Sequence, residues 1–206
     1  MTKKEAISVI TRCARLYAEN LCDEQLAFLY RDSSNKVHIV EVIFRANNFM
    51  HLTGIETKQH QTAGSFYRDA IEQRLKESNL FFKDPHTTEL KLKILPNIMN
   101  IAYTARMIGD YTGSCIDLYT EKVAGTTTAC LGLLKNKNDY VPNTILSEDI
   151  WHITPHPPGR IFAIFKKSVK DAIYSELTYQ SKSIELTRKC LPNSFINRIK
   201  PELFGL

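Results

Sequence analysis

The sequence predicts an α+β fold in which N-terminal helices pack on a mainly antiparallel sheet. A capped amphipathic helix opens the chain. Residues 115–180 then break into short β-rich runs. The turns between those runs are brief, which makes successive strands antiparallel neighbours. No internal repeat and no linker divides the chain. Residues 1–206 therefore read as a single α+β domain: a helix-rich half over 1–110, an antiparallel meander over 115–180 and a basic C-terminal segment over 181–206.

Thr2 followed by Glu5 has the form of a capping box. Behind it Ile10, Cys13, Ala14, Tyr17 and Leu21 recur at helical spacing, so residues 3–21 read as a helix. Gln25–Tyr30 is a short apolar run and Lys36–Phe44 is rich in Val and Ile. The cluster Asp32-Ser33-Ser34-Asn35 between them makes the pair a hairpin. The segment Phe49–Ile55 reads as extended. Residues 65–78 read as helical, and Leu90–Ile94 is ambiguous between helix and strand. Pro96 suits the first turn of a helix running to about Ile108, with Gly109 as its stop.

Cys115–Val123, Thr127–Lys135 and Tyr140–Asn143 read as three strands separated by Gly125 and by Asn136–Asp139. Ser147 suits the cap of a single helical turn. His152–Gly159 holds three prolines and reads as loop. Arg160–Lys167 and Ile173–Tyr179 read as two further strands, and the tail after Ser181 as helix.

Composition narrows the class. The chain is 43% hydrophobic and 24% charged, which excludes a disordered or low-complexity polymer. It has no apolar run of membrane-spanning length and no secretory start, so a cytoplasmic protein with no membrane partner is expected. Five scattered cysteines with no CxxC pair point to reduced thiols rather than a disulfide framework or a zinc site. Residues 151–206 hold nine Lys or Arg against four Asp or Glu, which equals the whole net charge of +5. That basic quarter suits a phosphate-bearing partner or, equally, a solvated tail; it does not suit an acidic mimic of DNA.

Motifs for nucleotide loops, nucleophile elbows and HExxH zinc sites are missing. His152 and His156 are four apart, but the prolines around them forbid the helix that would align them as metal ligands. The unusual segment is Phe49-Met50-His51-Leu52-Thr53-Gly54. Read as extended, it puts His51 and Thr53 on one face, an imidazole beside a hydroxyl, with Gly54 allowing a tight turn or a close approach. The plain alternative is a structural histidine bonded to its neighbour threonine.

Asn48–Ile55 resembles the HLTG signature of phage and mobile-element nuclease domains of the barnase–EndoU–colicin–RelE (BECR) superfamily. Tyr140–Thr144 and Ile161–Phe165 fall at similar places, so the resemblance extends over most of the chain. It implies a sheet-centred α+β fold and metal-independent cleavage of RNA by 2′-hydroxyl transesterification, with no cofactor. It also implies a phage or mobile-element toxin or effector in the bacterial cytoplasm. RNA, including a structured RNA such as tRNA, would be the substrate, and an antitoxin or a host target would be the protein partner.

That chemistry needs a base, an acid and cationic donors around the phosphate. From the motif, His51 would be base or acid and Thr53 would orient it or bind phosphate. From position, Arg160 and Lys166 share a parity on one strand and Thr178 and Tyr179 end the next, giving a phosphate clamp, donors and a stacking ring. Arg106, Asp110 and Tyr111 form a further cluster at a helix end. His38, in the preceding strand, could partner His51, and Glu41 is equally near in sequence. Two alternatives remain: a non-catalytic interaction or inhibitor protein that keeps the fold, and a small-molecule enzyme using the same His and Thr.

Overall fold

The computed structural model describes residues 1–58, 61–113, 119–155 and 157–204. Helix α1 (Lys3–Asn20) starts on the expected capping box: Thr2 Oγ1 accepts from the Glu5 amide and the Glu5 carboxylate accepts from Thr2 N. Its buried stripe, Ala6, Ile10, Cys13, Ala14 and Tyr17, repeats at three- and four-residue intervals, which aims one face at the core. Strands β1 (Glu24–Arg31) and β2 (Val37–Ile43) form the hairpin, with Asp32 folding its turn.

Helix α2 (Ala46–Thr53) follows where the sequence suggested a strand. Phe49, Leu52 and Thr53 are its buried residues, at i, i+3 and i+4, and that spacing fits a helix better than the alternation of so few residues fits a strand. A small hairpin, β3 (Ile55–Thr57) with β4 (Leu80–Phe82), brackets α3 (Ala63–Ile71), which is shorter than expected.

Helix α4 (Pro85–Ile98) absorbs the ambiguous lysine-rich stretch. Asp84 caps it and Pro85 opens it, so Pro96 lies inside its last turn and not at a new start. After the single-turn α5 (Ile101–Thr104), Met107–Asp110 is strand β5. The helix expected to run to Ile108 ends earlier. Gly109 serves β5, since a Cβ there would stand 2.8 Å from Thr154 Cγ2.

The meander is β6 (Lys122–Gly125), β7 (Cys130–Asn136) and β8 (Asp139–Leu146). The start of the strand expected over 115–123 lies outside the described residues, as do Cys115 and His156. Asp149, not Ser147, caps the one-turn α6 (Ile150–Ile153), which takes His152 out of the expected loop. Strands β9 (Gly159–Ser168) and β10 (Glu176–Gln180) complete the sheet.

Strand order is β1-β2-β8-β7-β6-β5-β9-β10, and β1 also pairs with β9, so the sheet closes on itself. Among the described residues the named strands of this sheet pair antiparallel except β2 with β8, which meet in parallel at Val42 and Tyr140. Helices α1 to α5 pack on one face, on Leu26, Phe28, Val40, Val42, Leu131 and Ile164. The tail covers part of the other face.

That tail is not the expected helix. It holds 3₁₀ turns at Arg188–Cys190 and Pro201–Leu203 and one α turn, α7 (Asn193–Ile196). Leu186, Leu191, Phe195 and Ile199 pack on Ala27, Leu29, Phe162 and Phe165. Arg198 pins it to the sheet: its two terminal nitrogens donate to the Glu41 carboxylate at 2.8 and 2.5 Å, and Tyr174 Oη donates to the same carboxylate at 2.5 Å. Burial pushes the Glu41 carboxyl up, but the bonds from Arg198 and Tyr174 hold it below its ordinary range.

Candidate active site

A groove of about 580 Å³ opens where several strand ends meet. Its walls are the end of β1 with its turn (Arg31, Asp32), the entry to β5 (Arg106) and the start of β9 (Arg160). Trp151 of α6 and Tyr179 of β10 complete them. Arg160 and Arg106 are exposed, and Arg31 stands directly opposite Arg160 across the β1–β9 pair.

The Arg106 guanidinium lies 3.9 Å from the centre of the Tyr179 ring, and its Nη1 donates to the carbonyls of Tyr103 and Ala105. Arg31 donates to Asn35 Oδ1 at 3.0 Å and lies 5.7 Å from the Phe162 ring centre, while its Nε is buried without a partner. Among the described residues none of these three guanidinium groups is ion-paired with a carboxylate. Three guanidinium groups and one carboxylate, Asp32, line this concavity, a net positive set that suits a phosphate chain.

The residues named from sequence divide among three places. Arg160 and Tyr179 line the groove together with Arg106. Lys166 does not join them. Phe162 is an extra residue in β9 opposite the Leu29–Tyr30 step of β1, and that bulge reverses the alternation between positions 160 and 166. Arg160 therefore pairs with Arg31, while Lys166 pairs with Leu26 on the helical side, where its Nζ meets Glu176 at 2.7 Å. The Thr178 hydroxyl is taken up by the carbonyls of Ala102 and Ile164, at 2.6 and 3.1 Å. Asp110 ends strand β5 and is ion-paired with Lys122, and Tyr111 follows the strand and packs beside Ile150 and Ile153; neither stands at the expected helix end.

His51 and Thr53 lie on α2, two positions apart on a helix, so they do not share a face. Thr53 is fully buried. Its hydroxyl donates to the Met50 carbonyl at 2.8 Å and accepts from the Ile55 amide at 3.2 Å. Gly54 ends the helix at φ +69°, and its carbonyl accepts from Thr88 Oγ1 at 2.8 Å. Leu52-Thr53-Gly54 is thus a helix stop, built as such stops commonly are.

His51 is exposed on a separate hollow of about 320 Å³ with Met50, Glu56, Thr57, Gln61 and Lys83. Burial, Lys83 and Lys91 lower its pKa. Neither expected neighbour reaches it: His38 bonds to Asp32 and Glu41 to Arg198. Among the described residues no three His, Cys, Asp or Glu side chains gather as metal ligands would.

Arg31 and Trp151 were not singled out from the sequence. Their signals were weak ones: a charged residue abutting a turn cluster, and the lone tryptophan beside a proline-rich loop.

An α+β sheet protein with an arginine-lined groove suits a domain that acts on nucleic acid. The family model described as phage-Barnase-EndoU-ColicinE5/D-RelE like nuclease 4 matches residues 9–183, and the chain belongs to that family. No curated protein and no solved structure matches the chain. The family makes nucleic acid the substrate class. No helix among the described residues is long and apolar enough to cross a membrane.

Proposed function

We propose that this nuclease cleaves RNA in the arginine groove without a metal, by attack of a ribose 2′-hydroxyl on the adjacent phosphate. The observation that carries the reading is the convergence of Arg31, Arg106 and Arg160, none ion-paired among the described residues, beside Tyr179 and Trp151. RNA supplies its own nucleophile, so the protein must position the phosphate and stabilise the charge that grows on it. Guanidinium forks match the phosphate oxygens and hold charge in place during the reaction. The groove is partly open to solvent, which suits a single strand whose splayed bases rest on Tyr179 or Trp151. A toxin or effector of a phage or mobile element, acting on a structured RNA such as tRNA, is the biological role this chemistry fits.

The hollow around His51 is the competing location, because an imidazole beside Lys83 also suits a phosphate. Cleavage assays on single variants separate the two. Arg106→Ala and Arg160→Ala are expected to lose cleavage and His51→Ala to retain it. The opposite pattern would move the site to α2.

A further inference from the structure

Arg106 is held differently from the two arginines beside it. Its guanidinium carbon stands 3.9 Å from the centre of the Tyr179 ring, close to van der Waals contact. Nη1 gives its two N–H groups to the Tyr103 and Ala105 carbonyls, at 2.9 and 2.8 Å. The Arg31 guanidinium donates instead to the Asn35 side chain, and the Arg160 side chain makes no hydrogen bond or ion pair among the described residues.

We infer that Arg106 is a platform for a nucleobase and not a phosphate clamp: an unpaired base flanking the cleaved bond stacks on the guanidinium face turned away from Tyr179. The inference rests on the ribonuclease reading above. A guanidinium is planar and delocalised, so either face can carry a ring, a tyrosine's or a base's. Here one face lies on Tyr179 and one edge is spent on the two carbonyls. Arg106 is nevertheless exposed and lines the groove, so what solvent reaches is the opposite face and the remaining edge.

Tyr179 reaches a base through Arg106. Its half-buried ring packs on the main core and carries the guanidinium over its face, so a base directed at Tyr179 meets Arg106 first. The ring and the two carbonyls also hold the guanidinium in place before substrate arrives. A long side chain already ordered loses little rotamer freedom on binding, so the stacking energy goes into affinity. The positive charge adds to the attraction for the face of a base.

The strand pairing sets this platform beside the other two arginines. Arg31 and Arg160 face each other across β1 and β9, and Met107, the residue after Arg106, pairs with Arg160 across β5 and β9. The Ile161 amide donates to the Arg106 carbonyl at 2.9 Å. Arg31, Arg160 and Arg106 thus stand on three neighbouring strand ends, with about 4.8 Å between adjacent strands. A phosphate held by Arg31 and Arg160 leaves the base of a flanking nucleotide within reach of Arg106. Stacking reads the flat face that every base has, so this contact selects an unpaired nucleotide and not a sequence.

The test measures affinity of the full-length protein for a short single-stranded 2′-O-methyl RNA, which lacks the nucleophile, and for copies with one base removed at each position in turn. Wild type is expected to lose about 10-fold or more at one position flanking the bond that it cleaves in the unmodified RNA. Arg106→Lys keeps the charge and loses the plane. This variant, with its fold checked by circular dichroism, is expected to bind the parent RNA about 10-fold more weakly and to lose nothing further when that base is removed. A phosphate clamp would instead make Arg106→Lys weaker by the same factor on every RNA, and that additive pattern would overturn the inference. The wild-type scan needs no variant, so the absence of a sensitive flanking base would overturn it as well. In either case, cleavage of the unmodified RNA by wild type keeps the ribonuclease reading. If wild type neither binds nor cleaves RNA, both fail.

Discussion

Thr53 offers the sharpest test of what the HLTG segment does. Its hydroxyl closes the end of α2 by donating to the Met50 carbonyl and accepting from the Ile55 amide, and no part of the side chain reaches solvent. Thr53→Val keeps the shape and removes both bonds. A buried polar group left without its partner costs about 1–3 kcal/mol. For a chain of this size each kcal/mol shifts Tm by roughly 2–4 °C. Taking the middle of the range, about 2 kcal/mol, the variant should melt roughly 4–8 °C below wild type. Thr53→Ser keeps the hydroxyl and loses a methyl group, so its cost should be nearer about 0.8 kcal/mol. Thermal melts monitored by circular dichroism give the first readout. Cleavage of RNA at 25 °C, well below either transition, gives the second and should match wild type for both variants. A Thr53→Val protein that melts like wild type and has lost cleavage would refute the reasoning, because the hydroxyl would then be meeting substrate.

Further expectations follow from other contacts. Gly54→Ala forces φ +69° on a side chain, at about 1–2 kcal/mol, and sets its methyl 3.1–3.2 Å from Thr88 Oγ1 and Lys91 Cδ, so its melt should fall by a comparable amount. Arg31→Met removes a guanidinium whose buried Nε has no partner; stability should hold or rise in chemical denaturation while affinity for RNA drops. Arg198→Met strips the Glu41 carboxylate of its two charged donors. Because Arg198 is 39% exposed, the cost should be about 1–3 kcal/mol, below that of a fully buried pair, and Arg198→Met with Glu41→Gln should recover part of it in urea melts. Burial, with Lys83 adding, pushes the Lys91 ammonium down to about 8 from 10.5. The unfolded chain therefore binds more protons between those values, and stability should rise with pH across that window. Lys91→Met should flatten the rise and be the more stable protein below pH 8.

Much of the fold was legible because its signals are local. The capping box at Thr2 and Glu5, the stripe on α1, the Asp32–Asn35 turn and the β-branched run of β2 each act over a few residues. The sheet-rich second half was legible for the same reason, since short turns between apolar runs leave antiparallel pairing as the simplest outcome. Misreadings arose where a short window admits two periods. Phe49–Gly54 alternates like a strand, but its burial follows i, i+3 and i+4 because α2 must cover the sheet between α3 and α4. Pro96 marks the end of α4 and not a start, because the cap that begins that helix, Asp84 with Pro85, lies far upstream.

The site was less legible because distant segments build it. Arg31, Arg106 and Arg160 are brought together by the antiparallel pairing of β1 with β9 and β5 with β9, and no spacing along the chain encodes that meeting. The bulge at Phe162 turned Lys166 away from Arg160, a reversal that counting residues in a strand cannot foresee. The basic quarter over 151–206 suited a phosphate-bearing partner or, equally, a solvated tail. Arg198 and Lys167 are instead spent internally, on Glu41 and on the Asp171 carbonyl. The positive groove draws its charge mainly from arginines earlier in the chain.

The most direct measurement is cleavage of total bacterial RNA by wild type and by an Arg106→Ala, Arg160→Ala double variant, with and without EDTA, with the product ends mapped. The account expects wild type to cleave equally in both conditions and to leave 2′,3′-cyclic or 3′-phosphate ends, and the folded double variant to leave the RNA intact. Cleavage abolished by EDTA, or equal cleavage by the double variant, would contradict it.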